Sequence, residues 1–104
     1  MTKETIRPGV AVRTMLADMI TNGKVTAEVM AVMTDKEASA KNFGLRYPLL
    51  KEVDTNAELK PQLVVYGKPR YGVKTIDIDN KAYVVTNDIY KANVPKFKTF
   101  AEGI

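Results

Sequence analysis

VTAEVMAVMTDKEASAKNF, residues 25–43, reads as two short helices meeting at a tight turn. Thr26 is placed to cap the first, because its hydroxyl can accept a bond from a backbone N–H that the first helical turn leaves without a partner. Val29, Met30 and Met33 follow at helical spacing, so this helix runs from about Thr26 to Met33. Thr34-Asp35-Lys36-Glu37 fits the capping-box pattern, with a threonine followed three positions later by a glutamate, and a second helix should begin there at once. It extends to about Phe43, since Gly44 tolerates a left-handed C-terminal position and Pro48 discourages continuation.

On the second helix Ala40 and Phe43 are expected to share the inward face, Glu37 and Lys41 to point away, and Lys36, Ser39 and Asn42 to lie near the boundary. Lysine reaches phosphate or guanine, asparagine bonds adenine bidentately, and serine is versatile but unspecific, so Lys36, Ser39, Lys41 and Asn42 are candidate nucleic-acid contacts. The alternative is an ordinary solvated helix face, and Glu37 weighs toward it.

Working toward the N-terminus, Pro8 suits a first helical turn, and Val12, Met15, Leu16, Met19 and Ile20 recur at the spacing of an amphipathic helix that Asn22-Gly23 ends. The methionines at 15, 19, 30 and 33 read as core filler. Residues 1–6 read as a loose or extended arm. Toward the C-terminus, LRYPLLKEV from Leu45 to Val53 reads as an irregular segment that packs Leu45, Tyr47, Leu49 and Leu50 on the helices and leaves Arg46 free to reach phosphate. Asp54 to Pro61 has the composition of a surface loop.

Leu63 to Tyr66 reads as a strand and Gly67-Lys68-Pro69 as a turn. A hairpin follows: Tyr71 to Ile78, a loop at Asp79-Asn80, and Lys81 to Thr86. The loop sets Ile78 opposite Lys81, Ile76 opposite Tyr83 and Lys74 opposite Val85, so that Ile76, Ile78, Tyr83 and Val85 cover the helices. The other face is expected to be exposed. Lys68, Arg70, Lys74 and Lys81 then form a basic hairpin region; the tyrosines at 47, 66, 71, 83 and 90 interleave with basic residues, and KPRYGVK offers Tyr71 as a stacking residue, although tyrosine is equally a normal strand residue. Asn93 and Pro95 open a last helix with Phe97, Phe100 and Ala101 inward and Lys91, Lys96 and Lys98 outside.

The chain has 104 residues, 45% of them hydrophobic, which suits one folded domain spanning 1–104. It contains no cysteine and no histidine. Disulfides, thiolate or imidazole nucleophiles and the usual zinc sets are therefore excluded, and no enzyme, metal or cofactor is expected. No glycine-rich phosphate loop appears, and Asp77, Asp79 and Asn80 read as turn residues and not as metal ligands. No run suits a membrane span or a leader, so a soluble, cytoplasmic protein is expected. Of a formal net charge of +4, residues before Lys60 contribute none, with eight basic and eight acidic side chains, whereas Lys60 to Ile104 hold eight basic and four acidic. A polyanion suits that distribution, as does plain solubility.

The order of elements, a helix-turn-helix within three helices and then a basic hairpin, resembles the winged-helix group of DNA-binding domains. The resemblance rests on Thr26 to Glu37, the helix Lys36 to Phe43 and the hairpin Tyr71 to Thr86. FGLRYP and GVKTIDIDNKAYVVTNDIY also look like parts of small bacterial or phage proteins. It implies an α+β fold: three N-terminal helices, a small antiparallel hairpin sheet and a short C-terminal helix. It also implies a non-enzymatic DNA-binding protein, a regulator or a phage or plasmid accessory protein, with duplex favoured over single strand and backbone contacts by the hairpin. Such proteins often dimerise, yet no heptad or free apolar stripe marks a dimer surface here. The alternative is a module that binds an acidic protein partner through the same lysines and an exposed sheet edge.

Overall fold

Pro8 opens α1, Pro8–Thr21, in a computed structural model that describes residues 7–103. The arm expected over residues 1–6 lies outside the described residues. Val12, Leu16 and Met19 of α1 are buried, and the helix ends at Asn22 ahead of Gly23 at φ 67°. In α2, Ala27–Met33, the hydroxyl of Thr26 accepts from Val29 N–H at 3.3 Å, as its cap position requires. The two-residue link Thr34-Asp35 leads to α3, Lys36–Phe43, which Gly44 closes at φ 73°.

The N-cap of α3 is Asp35 and not Thr34. The Asp35 carboxylate accepts from Ala38 N–H at 2.8 Å, while the Thr34 hydroxyl donates back to the Met30 carbonyl at 2.7 Å. Ser39 and Phe43 are buried at i and i+4, and Ala40, expected inside, is exposed.

The segment expected to be irregular contains a strand, β1, Leu50–Val53, after Leu45 and Leu49 have packed into the core. A tied loop and a short helix, α4, Leu59–Gln62, follow. The Gln62 side chain bonds both the N–H and the carbonyl of Asp54, at 2.7 and 3.0 Å. A minimal hairpin comes next, β2, Val64–Val65, and β3, Lys68–Pro69. The long hairpin, β4, Tyr71–Ile78, and β5, Lys81–Thr86, turns at Asp79 and Asn80 with φ of 51° and 66°, the positive values a type I′ turn demands.

Ile78 opposes Lys81 and Ile76 opposes Tyr83, in the register the turn sets. Between Thr75 and Tyr71 that register breaks: Thr75 pairs with Val84 and Tyr71 with Thr86, so β4 bulges around Gly72, Val73 and Lys74. The sheet order is β1-β5-β4, all antiparallel. A last helix, α5, Asn93–Glu102, buries Phe97 and leaves Lys96 and Lys98 exposed, with Lys91 exposed just before it.

The main core lies between the helices and one face of the sheet, where Leu16, Met33, Phe43, Leu50, Ile78, Tyr83, Val85 and Phe97 meet. Phe43 is its hinge: its ring lies 5.3 Å from Phe97 and 5.0 Å, edge-on, from Phe100. Contrary to expectation, the reverse face of the sheet is also covered. Val53, Leu63, Tyr71, Ala82 and Val84 form a second cluster there, because the segment from Leu59 to Val65 folds under the sheet. Thr75, Asp77 and the turn remain exposed on that side.

Candidate nucleic-acid interface

Two of the predicted contacts are structural. Ser39 is fully buried, donating to the Val32 carbonyl at 3.0 Å and accepting from Leu49 N–H at 3.2 Å, so it ties α3 to α2 and to the start of β1. Tyr71 is buried in the reverse-face cluster, and its hydroxyl donates to the Pro48 carbonyl at 2.7 Å. Burial pushes its phenol up to about 12, with the neighbouring Tyr47 adding to the shift. Neither can touch a ligand. Asn42 is half-buried and spends its amide on the Ala38 carbonyl, which leaves Lys36 and Lys41 as the exposed cations of α3.

Arg46 and Arg70 are brought together. Their guanidinium carbons lie 5.8 and 5.5 Å from the centroid of the same Tyr47 ring. Arg46 also grips Asp88 with two bonds, of 2.9 and 3.0 Å, a pairing across 42 positions of chain. Asp88 is buried, and the Tyr90 hydroxyl donates to it at 2.8 Å. Backbone bonds place the other members: Arg70 N–H donates to the Leu63 carbonyl, and Asn87 N–H donates to the Arg70 carbonyl. The Arg70 Nε is buried with no hydrogen-bond partner among the described residues. Further along, Asn93 accepts from Tyr90 N–H and donates to the Phe43 carbonyl, which joins this cluster to the end of α3. Lys96 lies against Gly44 at that point: a Cβ on Gly44 would sit 3.0 Å from its Nζ.

The hydrogen bond from Arg46 holds Asp88 below the usual carboxylate range, the Tyr90 hydroxyl and the charges of both arginines add to this, and burial opposes it. A carboxylate whose folded-state value is depressed stabilises the fold fully above its unfolded value, and that contribution is lost as pH falls through the folded value. Asp88→Asn should therefore lower stability at pH 7 by about 1.5–3 kcal/mol, the usual worth of bonds to a charged group. It should also flatten the fall in stability below about pH 5. Urea titrations of both proteins across that range check this, and an equally steep acid limb in the variant would refute the assignment.

The far end of the long hairpin has the opposite character. An open groove of about 1120 Å³ is lined there by Glu52, Asp54, Asp77 and Asp79, with Lys81 the one cation among the described residues that line it. Lys81 stands 3.9 Å from Glu52. Among the described residues no group of three or more carboxylates is arranged to hold a metal ion. Lys74 is exposed in the β4 bulge, beside Arg13 of α1 around a shallow depression, and Lys68 is exposed on the small hairpin.

Sequence reasoning missed Asp88, whose partner is remote in the chain, and among the tyrosines interleaved with basic residues it singled out Tyr71 over Tyr66 and Tyr90. These two are 87% and 60% exposed, whereas Tyr71 and Tyr83 are buried. A cue for Tyr66 was in the sequence: Tyr66-Gly67 stands between Val65 and Lys68 as a two-residue turn. No protein-family model matches this chain, and no curated protein or solved structure matches it significantly.

Proposed function

We propose that this is a small, non-enzymatic DNA-binding protein that holds the phosphate backbone on the basic surface at the base of the long hairpin. The observation that carries the reading is the convergence of Arg46 and Arg70 on one tyrosine ring, with the Arg70 Nε unpartnered. Arg46 is held by the buried Asp88 carboxylate and the Arg70 guanidinium rests over the Tyr47 ring, so part of the side-chain freedom is already lost before binding. Lys68 and Lys74 on either side of Arg70 in the chain, and Lys41 and Lys96 around the end of α3, extend the positive surface. The acidic groove at the hairpin tip repels phosphate, which directs DNA to the base of the hairpin and not to its turn. Contacts of this type fix a backbone and carry little sequence information.

Exposed lysines test this without disturbing the core. The double variant Lys68→Gln, Lys74→Gln should weaken duplex binding on every sequence and reduce the slope of log affinity against log salt by about one to two. Lys81→Gln, changed at the acidic end, should leave both unaltered. Equal effects of the two variants would refute the placement.

The alternative of a protein-interaction module has one supporting observation: β4 lies at the edge of its sheet, with β5 as its hydrogen-bonded neighbour. On that reading the two variants leave duplex affinity negligible throughout.

A further inference from the structure

We infer that Tyr66 is a stacking finger for an unpaired base of a DNA strand whose phosphates lie along Lys68 and Arg70; this rests on the DNA-binding reading above. Tyr66 forms the tip of the β2–β3 hairpin together with Gly67, at φ of 51° and 79°. Glycine and asparagine relax in that left-handed region, whereas a bulky aromatic residue is strained there. The long hairpin follows the rule, with Asp79 and Asn80 at its turn. The small hairpin breaks it, and the ring gains nothing from the core in exchange, being 87% exposed.

The mount beneath this ring is firm. Leu63 is buried in the reverse-face cluster, Arg70 N–H donates to its carbonyl at 2.9 Å, and Val65 pairs with Lys68. A strained backbone therefore presents an aromatic face to solvent, two residues from an exposed lysine and four from Arg70. Every base has a π-face, so stacking on such a ring is tolerant of sequence but needs an unpaired base. The finger thus adds a preference for single-stranded DNA to the backbone binding of the arginine cluster.

Tyr66→Asn is the informative variant, because asparagine suits the left-handed turn and the protein should keep or raise its thermal midpoint. The probes are a single-stranded oligonucleotide carrying one 2-aminopurine, its fully paired duplex, and phosphatidylserine vesicles. Wild type should quench the 2-aminopurine fluorescence of the single strand. Tyr66→Asn should lose the quenching and about 5- to 150-fold in single-strand affinity, the equivalent of 1–3 kcal/mol for one stacked base. Duplex affinity should not change, and Tyr66→Phe should behave as wild type. Unaltered single-strand affinity in Tyr66→Asn, with both proteins binding DNA, overturns the finger alone. Absence of binding to either DNA overturns the DNA reading with it, and Tyr66-dependent binding to vesicles only would identify a lipid surface as the partner instead.

Discussion

Phe97→Ala is expected to cost about 3–5 kcal/mol, a large part of the 5–15 kcal/mol that holds a small domain together. Phe97 is 1% exposed and stacks on Phe43 at 5.3 Å, while Phe100 meets the same ring at 5.0 Å. Its loss opens a void between α1, α3 and α5 that the neighbouring turns cannot close, since Phe43 is itself held through its carbonyl by Asn93. The expected result is a urea midpoint lowered by at least about a fifth, with loss of the near-ultraviolet signal at correspondingly lower denaturant. A cost below about 1 kcal/mol would mean that α5 is an appendage and not a wall of the core.

Ser39→Ala should lower stability by about 1–3 kcal/mol, large for the removal of one oxygen. The Leu49 N–H would be left buried without an acceptor, and the Val32 carbonyl would lose a donor. This variant separates two roles for one residue. A contact residue would weaken DNA binding and spare the fold, whereas Ser39 as placed here should weaken the fold and spare affinity per folded molecule. Denaturant titration and binding measured well below the midpoint decide it, and intact stability with reduced affinity would contradict the packing described for α3.

The same residue shows where sequence reading succeeds and fails. Thr34 and Asp35 are both competent caps, and nothing local reveals that the Thr34 hydroxyl turns back to Met30; Ala40 was assigned inward in place of Ser39 because the partners that let the serine hydroxyl be buried, Val32 and Leu49, lie outside α3. Gly44 and Thr26 allowed no such ambiguity, and both ends of the helix pair fell where expected. The long hairpin was legible because Asp79-Asn80 fixes its register and apolar alternation then assigns one face. β1 was not, being a four-residue strand just after Pro48 whose partner, β5, lies some 30 residues on. Tyr71 was misread for a related reason: only the folded path of Leu59 to Val65 shows that the reverse face of the sheet is covered. The arginine cluster sits between these cases. Arg46 and Arg70 were legible as cations, but the shared Tyr47 ring and the buried Asp88 that fix them are products of the tertiary structure.

The α+β architecture and the C-terminal helix match the expectation, and among the described residues no helix is long and apolar enough to cross a membrane. The most direct test of the account is a fluorescence-anisotropy titration of the wild-type protein with random duplex and random single-stranded DNA at two salt concentrations. The account predicts binding to both at low salt that falls steeply as salt rises, in proportion to the phosphates contacted, with the single strand gaining from Tyr66. No binding to either at low salt, or binding indifferent to salt, would contradict it.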